Sequence, residues 1–508
     1  MESTAWLEPL FDAAATGGID RWAIEERGIP SLDLMETAGG ALAREVELLL
    51  QGSDRSPVRI VCGKGNNGGD GLVAARLLRD AGHEVDVLLL WPASELSPDS
   101  SANLERLDGA YTEVTGGSLG PALAGSGAIV DAIFGTGFEG APREPAAAAI
   151  DAINSSGSPV AACDIPSGVD GSTGEVAGAA VDADLTVTFH SRKVGQFVAP
   201  GKWRTGRLVV APIGIPDDAP AVPVAGVIEP EIFDLTPRRG AESTKFSSGE
   251  VLIVGGSRGL TGAPVMAASA AIRAGAGYAT VGCPSSLEPI LEVKLTEAMT
   301  FGLDEVGGGL GAAAAGQILD RARRAACVVV GPGIGRADHS ARLVRELAAQ
   351  IEAPLLIDAD GLNAIGTDLA LLAGRGRPTI LTPHAGELGR LLGRPSEEVA
   401  AHRLASAREA AAAADAVVVL KGDDTIVVSG DDVAVNALDS PALATAGTGD
   451  VLSGVIGALV ARGMDPFEGA CAAVLAHARA GRIAGERLGN ESVIATDVVG
   501  ALPEGLRG

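Results

Sequence analysis

The chain has 508 residues, 46% hydrophobic but only 3% aromatic, with 70 glycines; that length and composition suit two large α/β domains with cores of Ala, Val, Leu and Ile. Its 39 basic and 65 acidic residues leave a net charge of −26, a field that repels a phosphate polymer and argues against a nucleic-acid partner. Four of the five cysteines sit in or beside apolar runs and no CxxC pair occurs; with no basic-then-apolar leader pattern and no membrane-length apolar run, the expectation is a cytoplasmic protein with reduced thiols and no membrane partner.

In chain order, residues 19–50 read as helix, broken at Gly28-Ile29-Pro30. A strand over Val58–Cys62 meets the glycine-rich turn GKGNNGGDG, Gly63–Gly71, and a helix is predicted from about Asp70 to Ala81. Strands follow within residues 83–91, 128–135 and 159–168. Apolar β-rich runs alternating with helical segments predict a mostly parallel sheet covered on both faces, a three-layer α/β domain. Around Ile213–Arg239 the pattern turns Pro-rich and irregular, which places a domain junction near residue 225 and domains at 1–225 and 226–508. A second α/β series then runs through residues 249–257, 278–284, 327–333, 354–360, 378–383, 416–422 and 424–429. The Ala-rich helices between them suit packing against another copy of the chain, in a homo-oligomer, or tight internal packing alike.

Chemistry gathers where strands end, the edge at which open α/β sheets bind ligands. In Gly63–Gly71 the glycines let backbone amides approach a phosphate, and the next helix offers its positive end. A tight strand–helix turn is the plainer reading. Two further stations are DAIFGTGFEG, Asp131–Gly140, and DIPSGVDG, Asp164–Gly171. Asp164 follows an apolar strand, where partial desolvation raises a carboxyl pKa and suits proton transfer; an Asp capping a turn is the alternative. In the second half, ATAGTGDVLSG, Ala444–Gly454, places Gly447-Thr448-Gly449-Asp450 before an apolar helix. Amides at such a helix start make an anion hole for a migrating phosphoryl, and Asp450 can take a hydroxyl proton. The loops Gly255–Ala263, Gly331–Arg336, Thr382–Leu388 and Lys421–Val428 also follow strands.

Taken together, the first-half stations resemble the NAD(P)H-hydrate epimerase domain over about residues 10–220. The resemblance implies a Rossmann-like domain that interconverts the R and S hydrates. It implies that Asn66, Asn67, Gly68, Gly69 and Asp70, with Gly135, Thr136, Gly137, Phe138, Glu139 and Gly140, hold the hydrated dinucleotide. Asn67, Asp131 and Ser167 match potassium-binding positions, and Asp164 matches the catalytic carboxylate, itself in the binding set. Thr37 stands where the family usually has Asn, which bears on epimerase rate or affinity if that Asn shapes the pocket.

The second half, about residues 240–503, resembles the ribokinase-like ADP- or ATP-dependent NAD(P)H-hydrate dehydratase through GGSxxxTGA, GPGxG, PHxGE and AGTGDVLSG. By that resemblance Ala263, Gly335, His384 and Asp450 contact the hydrated coenzyme. Lys421, Gly422, Asp423, Asp424, Thr425 and Gly449 contact the adenine nucleotide, with ADP the favoured donor and magnesium on its phosphates. Thr244-Lys245 replaces the family's usual His-Lys, so no role carries over to that His. The implied activity is repair of hydrated NADH and NADPH (NADHX and NADPHX), the first domain supplying the epimer that the second dehydrates with release of AMP and phosphate. Two rivals stand beside it. A vitamin or sugar kinase with a fused regulatory domain would make a stable phosphorylated product. A nucleotide-sensing scaffold would need neither Asp164 nor Asp450.

Overall fold

The computed structural model describes residues 5–50, 57–107, 110–114 and 116–507. They divide into two units, Pro9–Ala225 and a second that runs from Gly226 onward and includes the stretch before Pro9.

The first unit is built on a seven-stranded, all-parallel sheet. Its order is Tyr111–Glu113, Val85–Leu89, Val58–Cys62, Ala128–Ala132, Val160–Cys163, Leu185–Phe189, Arg207–Ala211. Val58–Cys62 lies between the second and fourth strands of this series, so the order reverses beside it and opens a crevice at the strand ends. Alternating side chains feed two separate cores: Ile60 packs with Leu42 and Leu72, whereas Val61 packs with Ile129 and Ile150. Ala128–Ala132 and Leu185–Phe189 are buried at every residue, with Asp131, Thr186 and Thr188 among the buried polar side chains.

The predicted 19–50 helix resolves into Ala13–Glu25 and Ser31–Leu50. Between them Gly28 takes a φ of 70°, a left-handed conformation that breaks the helix before Pro30. The helix predicted from Asp70 instead begins at Asn66 and ends at Asp80. Asn66 and Asn67 therefore belong to its first turn, where unpaired amides face outward. It packs closely on Ser31–Leu50, because a Cβ on Gly39 would stand 2.5 Å from the Val73 Cβ.

The second unit carries a larger sheet. From Met299–Leu303 it runs through Tyr278–Pro284, Glu250–Val254, Cys327–Val330, Leu355–Ile357, Thr379–Leu381 and Val417–Leu420, all parallel. Ile426–Ser429 and Asp432–Val435 then add antiparallel strands. Gly226 and Val227 pair in parallel with Ala434 and Val435. The region read as irregular, Ile213–Arg239, thus contains the strand Ala225–Ile228 and the short 3-10 helix Pro230–Leu235. Its prolines border these elements and hide them from a periodicity reading.

Helix Thr448–Ala461 is buried at almost every position and lies on helix Gly262–Arg273. A Cβ on Gly454 would approach the Ala267 carbonyl oxygen to 2.1 Å. Gly454→Ala should gain about 1 kcal/mol of helix propensity and lose about 1–3 kcal/mol or more to overpacking against a fixed backbone atom. The clash wins, and a thermal melt should show a lower midpoint. An unchanged midpoint would mean that the two helices can separate freely.

All five cysteines are buried and none forms a disulfide. Among the described residues no helix is long and apolar enough to cross a membrane.

Candidate active sites

In the first unit, loops after the strands Val58–Cys62, Ala128–Ala132, Val160–Cys163 and Leu185–Phe189 enclose a cavity of about 610 Å³. Asn67, Asp70, Thr136, Phe138, Asp164 and Lys193 line it. Asp164 sits at a φ of 66°, a strained value for a residue with a Cβ. Its N–H donates to the Val187 carbonyl (2.8 Å) and its carbonyl accepts from Gln196 Nε2 (2.9 Å), which fix the turn. The strain aims the carboxylate into a ring of donors. Oδ2 accepts from the Thr136 amide (2.9 Å) and hydroxyl (2.6 Å). Oδ1 accepts from Lys193 Nζ (2.7 Å) and Thr188 Oγ1 (3.2 Å). Burial pushes the Asp164 pKa up, but the Lys193 charge and these hydrogen bonds overcome it and hold the group below its ordinary value. Asp70 moves the other way: burial, then the charges of Asp164 and Asp20, lift it well above the carboxylate range. Asp20 is also raised, chiefly by burial. One cavity therefore holds a carboxyl made more acidic beside two made less acidic, the divergence acid–base chemistry needs.

Asp131 and Ser167 are brought together, fully buried. Asp131 accepts from the Ser167 amide (2.8 Å) and hydroxyl (2.6 Å) and from the Ile133 amide (3.2 Å). Burial pushes it up to about 6 against those bonds. Asp131 and Ser167 lie outside the cavity lining, whereas Asn67 is part of it and its Nδ2 has no partner. Gly68 and Gly69 do not line the cavity: a Cβ on them would meet the Gly63 carbonyl oxygen at 2.1 Å and the Met35 sulfur at 2.6 Å. Both positions are closely packed and admit no side chain. Gly135, Thr136, Gly137 and Phe138 do line it, whereas Glu139 and Gly140 lie outside the lining. Phe134 stacks on Phe138 with centroids 4.4 Å apart. The Thr37 hydroxyl donates to the Asp33 carbonyl of its own helix (2.9 Å), and that helix turns Leu34, Met35 and Ala38 to the cavity instead.

In the second unit Gly447, at a φ of 93°, caps helix Thr448–Ala461 and presents its first turn. Lys421 Nζ lies 3.4 Å from where a Gly449 Cβ would be. That ammonium donates to Asp358 Oδ1 (2.9 Å) and pairs with Glu387 (3.6 Å). Ser453 Oγ donates to the other Asp358 oxygen (2.7 Å). Burial, then the negative charge of Asp358, drives Asp450 up to about 7, with Lys421 opposing and Glu387 and Asp360 adding. A carboxyl poised there is half ionised near neutrality, which suits a general base. His384 caps helix Ala385–Leu392: its Nδ1 accepts from the Gly386 amide (3.0 Å), and its own amide donates to Glu387 Oε2 (2.9 Å). Burial lowers the His384 pKa, so the ring is neutral. A Cβ on Gly335 would lie 3.2 Å from Ser257 Oγ, and one on Gly333 the same distance from the Ala263 Cβ. Arg336, next to Gly335, donates to Asp360 (2.8 Å). Charged groups from three of these strand ends, Asp358 and Asp360, Glu387, and Lys421, thus act on Asp450.

Beside them is a second cavity, of about 330 Å³, which takes in Lys421, Gly422, Asp423, Thr425 and Gly449. Asp424 is turned away from it: its carboxylate, 1% exposed, forms a two-point pair with Arg403 at 2.9 and 2.8 Å. Sequence reasoning missed Lys193, Asp20, Asp358 and Asp360. Asp358 carried a usable signal, since it ends an apolar strand as Asp164 does. Lys193 carried none, because one Lys in FHSRKVGQ does not announce its burial.

Comparisons with known proteins fit this geometry. Residues 251–504 match the family described as NAD(P)H-hydrate dehydratase, and residues 31–195 match the YjeF-related protein N-terminus. A bifunctional NAD(P)H-hydrate repair enzyme of Moorella thermoacetica is 40% identical over 98% of this chain and 96% of its own length. That of Salinibacter ruber is 38% identical over 99% and 97%. Among solved structures, an ADP/ATP-dependent NAD(P)H-hydrate dehydratase from Bacillus subtilis, co-crystallised with ATP and Mg2+, is 28% identical, with a TM-score of 0.46, over 54% of this chain and 94% of that one. Fold and family matches define a two-headed α/β enzyme, one unit built on an all-parallel sheet and the other on a mostly parallel one. The chain belongs to the family of bifunctional NAD(P)H-hydrate repair enzymes. It combines an epimerase and a dehydratase for hydrated NADH and NADPH.

Proposed function

We propose that residues 1–225 carry the epimerase and residues 226–508 the dehydratase, and that the dehydratase uses ADP on the S hydrate to yield reduced coenzyme, AMP and phosphate. The observation that carries this reading is the setting of Asp450, beside a helix mouth and Lys421 and lifted to about 7. Hydroxide leaves carbon six of the hydrated ring poorly, whereas phosphate leaves well. Asp450 takes the hydroxyl proton as that oxygen attacks the terminal phosphorus of ADP, and AMP departs. The first-turn amides at Thr448 and Gly449 and the Lys421 ammonium stabilise the charge in transit. Departure of phosphate from carbon six and of a proton from carbon five restores the ring double bond. His384, Gly335 and Ala263 bound the coenzyme side; Lys421, Gly422, Asp423, Thr425 and Gly449 bound the nucleotide side. Asp424 acts on that side by holding its loop through Arg403.

In the epimerase a protonated carboxyl of the Asp70 and Asp20 pair helps the carbon-six hydroxyl leave as water, the ring nitrogen donating its electron pair. Asp164 then takes a proton from the water that adds to the opposite face. Asn66, Asn67, Thr136 and Phe138 position the dinucleotide. A buried Asp131 that accepts only neutral hydrogen bonds fits a monovalent cation. Asn67, Asp131 and Ser167 would hold potassium, which supplies fixed positive charge when bound. Among the described residues no group of three or more His, Cys, Asp or Glu side chains could hold a metal, so magnesium fits as an ion held chiefly by the nucleotide phosphates and water. The proposal places this work in the cytoplasm, with the coenzymes it restores.

The test is to incubate the protein with mixed-epimer hydrated NADPH and ADP. Absorbance of the reduced nicotinamide should return, with one phosphate released per coenzyme. A stable phosphorylated product without free phosphate would replace this reading with the kinase.

A further inference from the structure

The nucleotide-side cavity carries two polar atoms that phosphoryl transfer does not use. Asn436 follows the strand Asp432–Val435 and is 4% exposed; His477 stands inside helix Pro466–Leu488 and is 7% exposed. Both line the cavity together with Lys421 and Gly449. The Asn436 amide group is oriented by its Nδ2, which donates to the Leu438 carbonyl at 3.0 Å. Its Oδ1 is buried and has no partner. His477 is held neutral by burial, its pKa pushed down to about 4, and its Nε2 is buried with no partner. A neutral imidazole nitrogen either donates or accepts one hydrogen bond. Two polar atoms, on side chains each over nine-tenths buried, therefore border one cavity without a partner. Polar atoms withdrawn from water normally have partners. The remaining wall includes Leu438, Leu443, Leu452 and Val474, apolar surface that suits the flat faces of a base.

We infer that Asn436 Oδ1 and His477 Nε2 pair with polar atoms on the nucleoside half of the phosphoryl donor, Asn436 Oδ1 accepting from an N–H of the base amine or an O–H of the ribose. Asn436 Oδ1 accepts only, so a donor lacking the matching hydrogen leaves it unpaired. This inference rests on the nucleotide reading of the cavity proposed above. Leaving one buried acceptor unpaired weakens binding by roughly tenfold.

The test is calorimetry on the full-length protein with ADP, purine riboside diphosphate, which lacks the base amine, and the 2′-deoxy and 3′-deoxy forms of ADP. At least one analogue should bind about tenfold more weakly than ADP, and its identity tells base from ribose. Asn436→Leu or His477→Phe should weaken ADP by a similar factor and close the gap to that analogue. If the wild-type protein binds all four ligands within about twofold, or if both variants keep the gap, the inference is overturned. The wild-type series decides by itself should the variants fold poorly. ADP that fails to bind at all overturns the nucleotide reading and this inference with it; ADP that binds without discrimination overturns only this inference.

Discussion

Asp450→Asn should slow ADP-driven return of reduced coenzyme by about 10²–10⁴-fold, the usual worth of a positioned general base, while exchange between the R and S hydrates continues at its normal rate. Asn keeps the size of the side chain and its place on the first turn of helix Thr448–Ala461, but it cannot take the hydroxyl proton. The exchange survives because Asp164 lies in the other unit. The wild-type pH profile carries the same signature. A base works only when ionised, and burial and Asp358 lift Asp450 to about 7. The kcat/KM for dehydration should therefore fall about tenfold per pH unit below about 7 and level off above it. Repair that persists undiminished in the variant would remove Asp450 from the chemistry. A profile flat down to pH 5 would do the same.

Lys193→Met should damage the first unit in both stability and activity. The ammonium is 1% exposed and donates to Asp164 Oδ1, Thr188 Oγ1 and the Phe189 carbonyl at 2.7, 2.7 and 3.0 Å. Met fills a similar volume and leaves Asp164 without its cation. Removing one partner of a buried pair costs about 3–5 kcal/mol; Asp164 borders a cavity and is 13% exposed, so the low end of that range is expected. The pH dependence has a definite sign. With Lys193 present the folded Asp164 has a lowered pKa, so its contribution is complete above the unfolded value and is lost only as pH falls through the folded one. In the variant the carboxylate is penalised when ionised. The deficit should be largest at neutral pH and shrink toward pH 4 and below as Asp164 protonates. Urea melts followed by tryptophan fluorescence suit the test, because Trp22, Trp91 and Trp203 all lie in the first unit. Equal urea midpoints at pH 7, or a deficit that grows in acid, would show that the pair does not hold this site.

The inner sheet strands were legible where burial on both faces makes them largely apolar, as in Cys327–Val330. Tyr111–Glu113, Leu185–Phe189, Arg207–Ala211, Met299–Leu303 and Asp432–Val435 were not read, since their sequences alternate or mix polar residues into short runs. The carboxylates Asp164 and Asp450 were legible because a charge directly after an apolar run, or beside glycines that open a helix start, has little structural reason to be there. Lys193 was not: its meaning depends on a carboxylate 29 residues earlier in the chain, and no local pattern encodes that pairing. Asp424 shows the converse. It sits inside a loop with every local mark of nucleotide contact, yet a partner at Arg403 turns its side chain inward. Asn436 and His477 were equally silent, since the former follows an antiparallel strand and the latter lies within an Ala-rich helix. Gly68 and Gly69 carry close packing that no local pattern announces, since only the neighbouring carbonyl and sulfur reveal it.

The buried thiols have a consequence for the conditions under which this enzyme can work. Cys62, Cys283 and Cys327 are pushed up to about 12, and Cys163 and Cys471 go well above their ordinary value, chiefly because burial disfavours a thiolate. Peroxides and disulfides react with the thiolate, and at neutral pH about one molecule in 10⁵ would carry one at a group titrating near 12. A catalyst that returns reducing power to the coenzyme pool thus keeps its own thiols poorly reactive toward oxidants.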